Sequence, residues 1–334
     1  MIELETEKYY RSVINRIAGT MLFFLALTNV LGLIAMGLTQ VWDYFLIETA
    51  AEIVSSLVDG LVYMLSFMLP VCFFRGISGG KRYEPMKLSP KLPKETFAYV
   101  LAGMAVILSA AYLNYYMISF TNYAAFAEEN LWMDTYDTPH AIVLSFVTMA
   151  IIPAFVEEFL FRGLVQSNLR PFGRGVAIVG SAVLFGAMHQ NIQQIFYATV
   201  AGLVLGYLYE VTDSIWCGIL LHLMNNGFSV CESAISYRLN EDFANRICTL
   251  AEGVIFGVGT VCLIWLICRK RREPDFSQGY FEKTLPDAPE FVQYELRGER
   301  KVKLFFSPLM ITFLAMCAST MVTYFVMALV MYGK

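Results

Sequence analysis

Glu157 and Glu158 stand side by side in an otherwise apolar helical stretch from Met149 to Leu169, and His189 and His222 lie in the hydrophobic stretches that follow. An ionisable side chain in hydrocarbon is costly unless it is paired or hydrated, so such a cluster in a membrane chain marks a functional site by default. Carboxylate and imidazole together can take up and return protons. On a helix, residues four apart share a face, so Glu158 and Arg162 are expected to form an ion pair while Glu157 points about 100° away. Arg162 then holds Glu158 ionised and fixed, and Glu157 is left to handle a proton.

Two further clusters accompany the glutamates. In Phe185-Gly186-Ala187-Met188-His189 the ring of Phe185 and the imidazole of His189 share a face, and Gly180, Gly186 and Ala187 allow a neighbouring helix to come close. In His222-Leu223-Met224-Asn225-Asn226 the spacing puts His222 and Asn226 on one face. Imidazole and carboxamide are both donors suited to a carbonyl oxygen that gains negative charge. His140, in an acidic stretch with Asp134 and Asp137, reads as an ordinary loop residue.

The elements that must position these residues are membrane helices. The composition is 57% hydrophobic and 16% charged, with a mean hydropathy of +0.56, outside the range of an ordinary soluble domain. Apolar stretches near the ~20 residues of a spanning helix occur at 17–38, 52–74, 97–119, 141–161, 247–268 and 305–332, with shorter ones at 175–190, 194–209 and 215–231. The fold expected is all-α: a polytopic integral membrane helical bundle of about eight or nine transmembrane helices. It forms one domain over 1–334, with a catalytic core at 141–231 and a cytoplasmic loop at 269–303. Nine spans with the N-terminus inside place 20 of the 24 Lys and Arg residues in cytoplasmic segments. The positive-inside rule therefore predicts a cytoplasmic N-terminus and an external C-terminus; a bacterial plasma membrane is the expected location, which the rule itself does not decide. The first span shows no small-residue cleavage site and is expected to be retained. The seven cysteines lack metal-type spacing and read as buried free thiols.

Three motifs in order carry a family resemblance: Glu157-Glu158-Phe-Leu-Phe-Arg162, Phe185 to His189, and His222 to Asn226, with Phe161-Arg162-Gly163 and the Ser214-Ile215-Trp216 entry to the third element. The chain resembles the CPBP family of intramembrane proteases, which includes the type II CAAX prenyl endopeptidases and bacteriocin self-immunity proteins. The resemblance covers roughly 141–231. It implies an intramembrane endopeptidase acting on a membrane-associated protein or peptide in the lipid bilayer, with no role for nucleic acid. Glu157 and His189 would position and deprotonate a water, and His222 and Asn226 would stabilise the oxyanion, supported by Glu158, Arg162 and Phe185. No metal is expected; a zinc ion on Glu157, His189 and His222 is the alternative, because two imidazoles and a carboxylate make an open zinc site. A membrane immunity or partner-binding protein without catalysis would not need the intact set. A transporter would be expected to show related halves, and none is seen in the sequence.

Depth provides one check. Counted from Ala141, Glu157 lies roughly 24 Å from the external boundary, while His222 lies roughly 10 Å from the cytoplasmic one, so those two can meet. His189, counted from Gly175, comes out roughly 21 Å deep, which does not match. Asp59 and Glu252 are further acids within apolar spans, expected to face water or a polar partner near the external boundary.

Overall fold

The computed structural model describes residues 2–78, 88, 92–119, 136, 138–269, 296 and 298–332. Among them the regular structure is helical, in ten helices. These are α1 (Ile2–Phe45), α2 (Glu48–Ile77), α3 (Thr96–Ser119), α4 (Pro139–Phe172), α5 (Arg174–Met188), α6 (Ile192–Thr212), α7 (Ile215–Arg238), α8 (Glu241–Cys268), α9 (Gly298–Phe305) and α10 (Pro308–Tyr332).

Seven of them, α1, α2, α3, α4, α6, α8 and α10, are long and apolar enough to cross a membrane. The two other stretches expected as spans are helical but differ in kind. α5 has only 15 residues, and α7 is made less apolar by His222, Asn225, Asn226, Glu232 and Arg238. The bundle leaves large apolar side chains on its outside, with Leu250 70% and Ile267 72% exposed on α8. Apolar surface on that scale is stable against lipid and not against water. The chain is an integral membrane protein.

α4 to α7 form the centre. α5 and α6 pack closely, α6 also contacts α3, and α7 lies against α4. α2 covers one face of α4, α1 backs α2 and meets α9 and α10, and α8 lies on α3. Small residues make the close approaches: a Cβ on Gly186 would stand 2.9 Å from Ile195 O, and one on Gly202 would stand 2.9 Å from Ala182 Cα, so α5 and α6 meet almost backbone to backbone.

Helix direction sorts the charges. α4 and α6 run parallel, shown by Arg162, Gln166 and Arg170 meeting Gly202, Gly206 and Glu210 in step. Lys8, Arg75, Lys94, Arg170, Arg174, Arg269, Arg300, Lys301 and Lys303 all lie at the end that holds the α4–α5 turn, tied there by pairs such as Arg269–Glu95 and Arg300–Glu7. Arg238 and Arg246 lie at the opposite end.

Several expectations change. Arg170, counted among the loop cations, is fully buried against Glu210 at 2.7 Å. His140 is not in a loop: it opens α4, with Nε2 3.4 Å from Glu52 on α2. The expected cytoplasmic loop 269–303 falls mostly outside the described residues, and its last part is the start of α9. Asp134 and Asp137 also lie outside them. Of the seven cysteines, all free, only Cys217 and Cys317 are buried; Cys72, Cys231 and Cys268 are exposed on helices of the bundle.

Candidate active site

α4 is not a uniform helix. Thr138 caps it by accepting from Ala141 N at 3.2 Å, and two π-helical segments, Phe146–Ile151 and Phe159–Gln166, flank the α-helical turn pair Ile152–Glu158 that carries both glutamates. π segments widen the helix by one residue and are found mostly where function requires an unusual register. Pro153 lies within this stretch and has no N–H to give to Met149 O four residues earlier. The carboxamide of Asn226 donates to that carbonyl instead, at 3.1 Å, which ties α7 to α4.

Glu158 and Arg162 form the expected ion pair, 2.8 Å apart with both side chains fully buried. A buried guanidinium needs further partners. Arg162 donates also to Gly202 O at 3.1 Å and lies over the Phe185 ring at 4.7 Å. The same face continues through Gln166, which donates to Gly206 O and to Glu210 at 2.9 Å each, and then to Arg170. Glu158, Arg162, Gln166 and Arg170 thus form a buried polar ladder at i, i+4 spacing that locks α4 onto α6.

Glu157 points elsewhere, as its position one residue along requires. Its Oε1 accepts a hydrogen bond from Tyr63 on α2. Its Oε2 is buried and has no hydrogen-bond partner within the described protein. His222 stands behind both glutamates, with Nδ1 3.1 Å from Glu158 Oε1 and Nε2 3.8 Å from Glu157 Oε2.

His189 closes α5 as its C-cap. Its Nδ1 donates to Phe185 O at 2.8 Å, which leaves Nε2 free to accept a proton. Gln190, at φ 50°, and Asn191, the N-cap of α6, then reverse the chain within three residues. The ring of Phe185 contacts both imidazoles, 5.1 Å from His189 and 5.9 Å from His222 between centroids. The depth mismatch disappears here. Counted from the α4–α5 turn, Glu157 in α4 and His189 at the end of α5 both stand roughly 22 Å up, because α4 runs on to Phe172 well past the expected boundary.

A cavity of about 530 Å³ brings Glu157, His189 and Asn226 to one wall, along with Tyr63, Asn225 and Tyr197. His222 is not part of that wall; it sits one layer behind Glu157 and is buried. Asn226 is held by a relay in which Tyr197 donates to Asn225 Oδ1 at 2.7 Å and Asn225 donates to Asn226 Oδ1 at 3.0 Å. Among the described residues, no three His, Cys, Asp or Glu side chains, the alternative zinc set Glu157, His189 and His222 included, converge as a ligand group. Asp59 lies further out on the cavity wall, and Glu252 accepts a hydrogen bond from Tyr112.

Residues 139–228, which run from the start of α4 to just past Asn226, match the family model described as type II CAAX prenyl endopeptidase Rce1-like. The match supports a likeness of this segment to the CAAX/CPBP protease family. It contains the three motifs, carried by α4, α5 and the first part of α7, with α6 between the second and the third. A curated relative, "Putative membrane peptidase YdiL" of Bacillus subtilis (strain 168), is 31% identical over 98 residues, which is 28% of this chain and 39% of that relative. No solved structure matches the chain. Tyr63 comes from α2, outside the matched segment, and no sequence motif marks it.

Proposed function

We propose that the chain is an intramembrane endopeptidase that hydrolyses a peptide bond of a membrane-associated protein or peptide by side-chain activation of water. One observation carries this reading: Glu157, one of whose carboxylate oxygens is buried without a hydrogen-bond partner, lines a polar cavity together with His189 and Asn226. The Rce1-like match over the same residues and the likeness to a protein named as a membrane peptidase support it.

In this mechanism a water lies between Glu157 Oε2 and His189. Its oxygen attacks the scissile carbonyl carbon as its proton passes to the carboxylate. The oxyanion so formed is met by the Asn226 carboxamide, and His222, expected from its shared face to join it, lies against Glu157 and Glu158 and acts by positioning them. The proton taken by Glu157 then goes to the leaving amine, the C–N bond breaks, and two peptides result. Tyr63 fixes Oε1 of Glu157 so that Oε2 faces the water. Zinc on Glu157, His189 and His222 would require those groups to move together, so no step is assigned to it.

The test is product mapping. Membranes containing the chain, incubated with candidate membrane peptides, should yield discrete fragments that vanish when Glu157→Gln replaces the native chain at equal level. Fragments that persist in the variant would remove the proposal.

A further inference from the structure

The cavity has a direction. From Glu157 it runs toward the end of the bundle where α4 begins: Thr148 and Ser145 line it on α4, Asp59 on α2, and Ser229 and Ser233 on α7. Ser145 is twelve residues before Glu157, so this wall extends roughly 18 Å along the helix. On the other side of Glu157 the interior is closed. The Glu158–Arg162 pair is fully buried there, and Leu160, Phe161, Leu164 and Val165 are each at most 5% exposed.

The closed side is the side where the cations gather. Lys94, Arg170, Arg269 and Lys301 belong to that end, whereas Arg238 and Arg246 belong to the end the cavity faces. No Lys or Arg lines the cavity among the described residues. The excess of Lys and Arg marks the cytoplasmic side of a membrane protein. The hydroxyl and carboxamide groups along the wall suit the backbone of an extended peptide more than a long hydrocarbon chain.

We infer that the active-site cavity opens on the extracytoplasmic face, and that the substrate is a peptide segment that has crossed the membrane or projects from its outer surface. This deepens the protease reading and rests on it. A cytoplasmic C-terminal tail, prenylated or not, would have to pass the closed floor formed by Glu158, Arg162 and the apolar residues around them to reach Glu157. With Asp59 on the wall and no cation there, uncharged or cationic residues are favoured next to the scissile bond.

The direction is tested without reference to activity. In a chain whose seven cysteines are replaced, Ser229→Cys and Ser233→Cys should react with a membrane-impermeant maleimide on intact cells, while Lys94→Cys should react only after permeabilisation. The reverse pattern overturns the inference. Should loss of the buried Cys217 and Cys317 prevent folding, a short epitope inserted in the α7–α8 turn of the native chain gives the same readout: antibody binding on intact cells supports it, and binding only to permeabilised cells overturns it. The substrate side is probed with a membrane-impermeant pool of mixed-sequence decapeptides, with products read by mass spectrometry. Cleavage that depends on Glu157 is expected with intact cells and not with inside-out vesicles, and cleavage confined to the vesicles overturns the inference. If external labelling stands and neither preparation cleaves, the failure belongs to the protease reading.

Discussion

Tyr63 on α2 donates its phenolic hydrogen to Oε1 of Glu157 on α4. The bond spans two helices and joins the family-like segment to a part of the chain that the family match does not cover. It also divides the work of the carboxylate, because one oxygen is anchored and the other is left for water. Tyr63→Phe keeps the ring and its packing on Phe67, 4.8 Å away between centroids. We expect kcat to fall about tenfold or somewhat more, the size of one hydrogen bond to a charged group, with KM unchanged and a modest fall in melting temperature because buried Oε1 loses its donor. A change confined to KM would assign Tyr63 to substrate binding.

Glu157→Gln tests the base itself. The amide has nearly the same shape and can still accept from Tyr63, but it cannot take a proton from water. Cleavage should be lost in protein that is folded, monodisperse in detergent and equal in melting temperature to the native chain. Full activity in the purified variant would end the proposed role.

The Glu158–Arg162 pair should behave differently, because its first duty is structural. Arg162→Met leaves Glu158 buried without its cation, and such a loss costs about 3–5 kcal/mol. Lower yield and melting temperature are therefore expected along with lower activity. Glu158→Gln should cost less stability, since the amide can still accept from Arg162, but it weakens the hold on His222 Nδ1. Unchanged melting temperatures in both variants would contradict the buried pair.

How far the sequence reached depends on the range of each interaction. The pair at i, i+4, Glu158 with Arg162, follows from helix geometry alone, and so does the separate direction of Glu157. The ladder continues at Gln166 and Arg170 with the same spacing, but apolarity alone ends the span near 161, which puts Arg170 in a loop, whereas α4 runs on to Phe172. Tyr63, Tyr197 and Glu210 are set by tertiary packing across as many as ninety-four residues of chain, and spacing along one helix carries no trace of them. Spacing along α7 groups His222 with Asn226 on one face. The two do share it, yet the cavity touches only Asn226, because Glu157 intervenes. The two π segments were also hidden, since periodicity cannot reveal a local gain of one residue per turn.

Metal content follows from the same geometry. With Glu157, His189 and His222 not converging as ligands, purified protein is expected to carry far less than one zinc per chain by elemental analysis. Activity should survive dialysis against a chelator. Zinc near one per chain, removed with loss of activity and restored with its return, would replace side-chain activation by a metal-bound water.

Asn226 provides the sharpest separation of roles. Its carboxamide nitrogen already donates to Met149 O at 3.1 Å, leaving its second N–H for the cavity, where it meets the carbonyl oxygen chiefly once that oxygen is charged. Asn226→Ala should therefore lower kcat by about 10²-fold to 10³-fold, the cost of one oxyanion donor, with little change in KM. It also strands Met149 O, whose usual partner Pro153 has no N–H, so a modest fall in melting temperature should accompany it. Asn225→Ala distinguishes the two effects, because it removes the relay that holds Asn226 Oδ1 but leaves both the donor and the Met149 bond in place. A small loss of kcat is expected there, without the fall in stability. If Asn226→Ala raises KM alone, Asn226 binds substrate and the oxyanion is stabilised by another group.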